Sequence, residues 1–268
     1  MISVVFTTEL YTVLPIVIFV WWQINLIKLK YMIDLRLGDC LEVMKTIPNK
    51  SVDAIITDPP YGTTSCKWDS VIDFKLMWEQ LNRIIKPKGA IVLFGSEPFS
   101  SALRMSNIKN YKYDWIWNKK LAGNVFLAKS QPMKIHENIL IFNNSKDKFY
   151  PIKTDLDYVR NYKDKYGGGE SFGKKGTGEK IHTIQGKNPK SIIVISNANR
   201  KGSVHPTQKP IALMEYLIKT YTNENETVLD FTMGSGTTML ACKNLNRNGI
   251  GIEKDPQYYA VAVARVDG

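Results

Sequence analysis

Between Glu226 and Glu253 the chain spells out a strand, a glycine-rich turn, a helix and a second strand, in that order. Thr227-Val228-Leu229-Asp230 is a short apolar run, Phe231 to Gly236 forms the turn, and Thr237-Thr238-Met239-Leu240-Ala241-Cys242 opens the helix. Gly249-Ile250-Gly251-Ile252-Glu253 follows as a strand that ends in an acid. Strand and helix alternating in this way indicate a parallel sheet with helices packed on its faces. Gly234 and Gly236 permit a tight turn and close backbone approach to a ligand, while Ser235, Thr237 and Thr238 offer hydroxyls and a helix N-terminus. Glu253 is placed to accept hydrogen bonds from a ribose diol. The third glycine of a dinucleotide fingerprint is missing and no Gly-Lys-Ser/Thr follows, which argues against a dinucleotide site and a phosphate-cradling loop. An adenosine ligand without a polyphosphate remains.

A second motif lies early in the chain. The apolar run Val52-Asp53-Ala54-Ile55-Ile56-Thr57 stops at Asp58-Pro59-Pro60-Tyr61. Proline has no N–H and fixes φ, so a buried strand has to end there. Asp58 and Tyr61 therefore stand at a strand's carboxyl end, the edge where open α/β sheets bind ligands. A carboxylate, a stiff loop with free carbonyls and an aromatic ring suit a planar group bearing an amine: the oxygens accept its N–H bonds and the ring stacks on its face. A plain Asp-Pro-Pro turn with a packing tyrosine is the competing reading of these four residues.

The rest of the chain supports an α/β architecture. Ile33–Leu37, Ala90–Phe94, Asp114–Lys119 and Glu137–Phe142 read as strands. Cys40–Ile47, Phe74–Ile85 and Ile211–Tyr221 read as helices, with Lys86-Pro87-Lys88-Gly89 stopping the second. The predicted fold is a doubly wound, mostly parallel sheet with antiparallel members at one edge. At 268 residues there is one sizeable core and room for a smaller lobe. Lys and Arg number 36 against 25 Asp and Glu, a formal +11 that favours polyanionic partners. Cys40, Cys66 and Cys242 are scattered and odd in number, suggesting neither a disulfide framework nor a metal site and fitting a reducing cytoplasm.

Asp58-Pro-Pro-Tyr61, His205-Pro-Thr-Gln-Lys-Pro210 and Asp230-Phe-Thr-Met-Gly-Ser-Gly-Thr-Thr238, taken together, resemble the S-adenosylmethionine-dependent DNA amino-methyltransferases. Having the catalytic tetrapeptide first and the cofactor loop last is similar to their circularly permuted beta group, over roughly Asp34 to Arg265. The resemblance implies a Rossmann-like methyltransferase fold, S-adenosylmethionine as cofactor, double-stranded DNA as substrate and no metal. It is compatible with a cognate restriction endonuclease and with a homodimer. It assigns chemistry to Asp58, Pro59, Pro60 and Tyr61, and favours adenine N6 over cytosine N4 because position 58 is Asp. The cofactor would meet Asp39, Cys40, His205, Thr207, Asp230, Phe231, Gly234, Ser235, Gly236, Thr237, Thr238 and Glu253. In the family the loop reads Asp-Pro-Phe, whereas here Phe231 comes one place early.

By the same resemblance, 32–143 and 204–268 are the catalytic and cofactor halves of one domain, and 144–203 is a target-recognition insert between them. That insert is basic, glycine-rich and interleaved with aromatics, a composition suited to following a phosphate backbone. Arg160, Lys174, Lys175, Arg200 and Lys201 are its candidate DNA contacts. Cytosine-N4 methylation is the alternative within the same chemistry, and a non-enzymatic DNA-binding module is the alternative outside it. Residues 1–31 carry the apolar run Val13–Trp22, interrupted by Pro15 and followed by Gln23 and Asn25, which falls short of about 20 clean apolar residues. They are read as an extension upstream of a start at Met32, with a short membrane anchor as the competing reading.

Overall fold

A computed structural model describes residues 31–63, 69–143, 148–163, 181–197 and 208–268. Ten strands run in chain order: β1 (Ile33–Leu37), β2 (Val52–Thr57), β3 (Ile85–Gly95), β4 (Tyr111–Asn118), β5 (His136–Phe142), β6 (Thr154–Lys163), β7 (Ile181–Lys187), β8 (Ile192–Val194), β9 (Thr227–Asp230) and β10 (Asn248–Glu253). The helices are α1 (Cys40–Met44), α2 (Phe74–Ile84), α3 (Phe99–Ser106), α4 (Ile211–Tyr221), α5 (Thr237–Asn244) and α6 (Pro256–Asp267). Eight strands form one sheet in the order β1-β10-β9-β2-β3-β5-β4-β8. The last two strands of the chain thus lie between the first two. Only β5 runs against its neighbours, β3 and β4.

Every residue of β2 is buried, as befits a central strand covered on both faces. Alternate residues feed two cores. Ile55, Ile91, Leu93, Leu140 and Leu229 pack under α1, α2 and α3, through Met44, Met77, Leu81, Phe99 and Leu103. Ala54, Ile56, Val92, Phe94, Ile141 and Val228 pack under α4, α5 and α6, through Leu213, Leu217, Met239 and Ala262. This is the doubly wound arrangement the alternation predicts. Local signals place the helix starts: Asp73 accepts the Leu76 amide at 2.9 Å to cap α2, and Asp255 caps α6 ahead of Pro256.

One departure from the sequence reading concerns backbone geometry. Lys86-Pro87-Lys88-Gly89 ends α2 but does not form a separate turn; β3 is extended through it, and the pairing with β2 skips from Val52↔Ile85 to Ala54↔Ala90. Gly89 makes that skip possible, since a Cβ there would come within 2.6 Å of the Asp53 carbonyl oxygen. Within 144–203 the described strands divide between two sheets. β6 and β7 form a separate antiparallel ribbon, whereas β8 pairs with β4 at the edge of the main sheet. Among the described residues no helix is long and apolar enough to cross a membrane. The apolar run of 1–31 lies outside them.

Candidate active site

The sheet's winding reverses between β9 and β2, whose carboxyl ends meet at the crevice where open α/β sheets hold ligands. Side chains fasten the two strand ends together. Thr57 Oγ1 donates to Asp230 Oδ1 at 2.5 Å, and Thr238 Oγ1 donates to Asp230 Oδ2. Thr232 gives its amide to Asp230 at 3.2 Å and its hydroxyl to the Asp58 carbonyl at 3.1 Å. Burial pushes the Asp230 carboxyl up to about 6, against the pull of these donors. Asp230 thus lines the cleft while its hydrogen bonds tie the glycine-rich turn to the Asp58 strand.

Above this clasp lies a cleft of about 790 Å³ lined by Asp58, Pro59, Pro60 and Tyr61 on one side and by Asp230, Phe231, Gly234, Ser235, Thr237, Thr238 and Glu253 on the other. Asp39 and Cys40 close one end. Asp39 also caps α1, accepting the Leu41 amide at 3.0 Å and pairing with Lys254 at 3.1 Å, so the helix-cap reading and the pocket reading both apply. Burial tends to raise its carboxyl, but Lys254 and the amide more than offset that and hold it below its ordinary value. The Cys40 thiol is pushed up to about 12 by burial and by the Asp39 charge, so it is an inert neutral wall.

The glycine-rich turn is held from behind. Gly234 donates to Glu253 Oε2 at 2.9 Å and Asp255 donates to Glu253 Oε1 at 2.8 Å. Gly236 caps α5 in the left-handed region at φ +76°, with Ala262 so close that a Cβ would sit 2.9 Å from it. Arg265 from α6 donates to the Ser235 carbonyl, to Ser235 Oγ at 2.8 Å and to Thr237 Oγ1 at 3.2 Å. Nothing in the local sequence signals that support. Phe231 is 1% exposed, a core residue whose edge borders the cleft.

Around Asp58 the structure assembles groups the sequence reading left out. Tyr61 Oη donates to Asp58 Oδ1 at 2.5 Å, and its ring stacks on Phe99 with centroids 4.9 Å apart. Lys209 Nζ donates to Asp58 Oδ2 and lies 3.4 Å from Glu137 Oε2; Lys119 bonds Glu137 Oε1 at 3.0 Å. The Lys209 ammonium sits 5.1 Å from the centroid of the Phe94 ring, close enough for a cation–π contact. Burial would lower the Lys209 pKa, but the two carboxylates outweigh it and hold the group at about 12. Burial raises Asp58, with Lys209 the main opposing influence. Glu137 feels the same burial, yet its two lysines keep it below its ordinary value. Four charges of alternating sign therefore converge in a largely dry corner.

Of the other expected site residues, His205 and Thr207 lie outside the described residues, as do Lys174, Lys175, Arg200 and Lys201. Arg160 is described, exposed on β6 of the separate ribbon.

A family model described as DNA methylase matches residues 52–264. The type II methyltransferase M.HpaI of Haemophilus parainfluenzae is 31% identical over 245 residues, which cover 86% of this chain and 73% of the relative. The crystal structure of an M1.HpyAVI–SAM complex is 30% identical, with a TM-score of 0.59 over 88% of this chain and 100% of that one. The cytosine-N4-specific PvuII DNA methyltransferase, at 19% identity and a TM-score of 0.62, covers 88% of each chain and shares the fold.

Proposed function

This chain belongs to the DNA methylase family, and from that membership we propose that it methylates N6 of adenine in double-stranded DNA, with the base turned out of the helix into the cleft beside Asp58. The protein is an S-adenosylmethionine-dependent DNA methyltransferase. When bound, that cofactor supplies an electrophilic methyl group on a positively charged sulfur. The cleft suits it. Asp39, Asp58, Asp230 and Glu253 line the walls, favouring a cationic ligand. Each Glu253 oxygen has accepted one backbone amide and keeps a further lone pair for a ribose hydroxyl. The Gly234 amide is engaged by Glu253 and so is not offered to a phosphate.

The observation that carries the reading is the sharing of one cleft by Asp58 and Glu253 across the Thr57–Asp230 clasp. An exocyclic amine is a poor nucleophile because its lone pair is delocalised into the ring. Acceptors at Asp58 and at the Pro59 carbonyl, taking its two N–H bonds, favour a tetrahedral nitrogen whose lone pair points at the methyl. The Asp58 oxygens already receive Tyr61 and Lys209, so an incoming amine either uses their remaining lone pairs or displaces one donor. After transfer the nitrogen is cationic and must lose a proton, and Asp58 is the nearest base. Tyr61 would stack on the base with the ring face that Phe99 does not cover.

Extrusion costs a few kcal/mol, which phosphate contacts from a basic surface offset. Arg160, Lys174, Lys175, Arg200 and Lys201 are the residues we assign to those contacts, with 144–203 supplying sequence choice. Asp at position 58 favours adenine over cytosine by the family resemblance alone. Nucleoside analysis of DNA treated with the protein tests the reading: N6-methyladenine is expected, and N4-methylcytosine would transfer the same chemistry to the other base. Asp58→Ala should abolish methyl transfer while leaving cofactor affinity nearly intact, because it removes an acceptor aimed at the reacting nitrogen. Activity within about tenfold of the parent would remove Asp58 from that role.

A further inference from the structure

We propose that the loop of residues 119–135 is a wedge whose Phe126 enters the DNA stack beside the extruded base; the inference rests on the base-extrusion reading above. Both neighbours of β5 run opposite to it, so β4 points the same way as β3 and β2 and ends at the cleft edge. The loop leaves that edge after Asn118 and returns to it at His136. Its feet, Lys119 and Glu137, line the cleft itself and pair with each other at 3.0 Å.

The loop has a defined shape. Lys119 donates its amide to the Ile135 carbonyl at 2.8 Å, and Gly123 donates to Lys134 at 3.2 Å, closing the stem like a hairpin. Asn124 Oδ1 accepts the Lys134 amide at 2.6 Å, and Lys134 Nζ reaches Ser96 Oγ at 2.6 Å, tying the stem to the end of β3. A single 3-10 turn, Val125–Leu127, makes the tip. Such a turn would ordinarily present polar residues, yet this one presents Val125 at 60% exposure, Leu127 at 48% and a fully exposed Phe126. Phe126 is the most exposed aromatic among the described residues.

Around that apolar tip the segment carries no Asp or Glu and two exposed lysines, Lys120 and Lys129, while Lys119 and Lys134 brace the stem through Glu137 and Ser96. Lysines beside an apolar side chain, held on a braced stem at the catalytic edge, match what a DNA wedge requires. The cations meet phosphates, and the apolar group fills a gap between base pairs, unstacking them. A second protein copy as occupant would have to bury those lysines against its own identical set. Charge therefore favours a polyanion.

The test is single-turnover methylation by the full chain at the DNA site the parent protein modifies, with three substrates: a paired duplex, the same duplex with an abasic site opposite the target base, and the single strand. Phe126→Ala should slow transfer on the paired duplex by on the order of tenfold to a hundredfold, because opening a paired stack is then unassisted. The abasic duplex should restore most of the loss, Phe126→Leu should retain most of the parent rate, and cofactor affinity should stay unchanged. A parent rate for Phe126→Ala on the paired duplex overturns the wedge, as does an equal loss on all three substrates. A loss that tracks conversion of a dimer to a monomer in sedimentation also overturns it. A parent protein that methylates none of the three would instead refute the proposed function.

Discussion

Replacing Lys209 with methionine removes the one cation between Asp58 and Glu137 and leaves a side chain of similar length in its place. The site is poorly hydrated: the side chains of Lys209, Asp58 and Glu137 are 11%, 22% and 16% exposed. Removing one partner of a buried pair typically costs about 3–5 kcal/mol, because the other charge is left uncompensated. Part of that cost can be relieved by protonation. Glu137 keeps Lys119 at 3.0 Å, so Asp58 is the carboxylate that takes up the proton. Its carboxyl is already raised by burial, with Lys209 opposing the rise, so losing that cation raises it further. A protonated Asp58 has an O–H to donate and less capacity to accept the amine's N–H. The acid limb of the rate profile should therefore move to higher pH in Lys209→Met, with activity partly recovered in alkaline buffer, while Lys209→Arg stays near the parent. For stability the sign runs the same way. A carboxyl raised above its unfolded value costs stability as pH climbs through its folded pKa, so the variant's deficit should grow with pH. Single-turnover methylation across pH 6 to 9 measures the first effect and urea titration at the same pH values the second. Superimposable pH–rate profiles for parent and Lys209→Met would refute the idea that Lys209 holds Asp58 in its accepting form.

Two further outcomes test the other side of the cleft. Glu253→Ala should weaken cofactor binding by roughly 1–3 kcal/mol, read by calorimetry, because the ribose would lose its acceptor and the Gly234 and Asp255 amides their partner. Unchanged affinity would leave Glu253 as a loop brace alone. Asp230 has an ordinary pKa of 3.8 and sits at about 6 in the fold, so the folded state binds more protons between these values and stability falls as pH rises through that window, by about 3 kcal/mol in all. Asp230→Asn should remove that slope, and a parent-minus-variant stability difference that stays flat from pH 4 to 7 would contradict it.

The fold was legible because its signals are local. Two prolines after a β-branched run mark the end of β2, and Gly234 with Gly236 marks the β9–α5 turn. Antiparallel members at one edge are expected from the sequence, but the chain does not mark which strand is reversed. Glu137 is the second residue of β5, and in a strand parallel to its neighbours the first residues would lie at the far edge of the sheet from the cleft. Because β5 runs in reverse, its N-terminal end comes to the catalytic edge and brings Glu137 with it. Direction is decided by which neighbours pair across the sheet, and neither the Glu137–Phe142 pattern nor its flanks encode that. The same reversal makes the 119–135 loop a short return between two adjacent strands, rooted at the cleft.

Lys209 had a different reason for escaping notice. It stands inside the His205–Pro210 motif, but a lysine one residue before a helix-leading proline looks like any solvated cation, and its burial depends on Phe94 and Trp117 reaching it from β3 and β4. Once placed, it changes how the tetrapeptide works. Asp58 and Tyr61 alone describe an acceptor with an aromatic neighbour. With Lys209 and Glu137 they form an ammonium bridging two carboxylates in the pocket where the substrate's own amine would arrive. The lysine gives Asp58 a charge-assisted hydrogen bond that opposes the effect of burial and favours the ionised carboxylate. Glu137 lies 3.4 Å from the same ammonium on its other side. On the reading proposed above, an amine that uses the remaining lone pairs of Asp58 leaves the ammonium in place and the acceptor ionised, as a nitrogen that must be drawn out of conjugation requires.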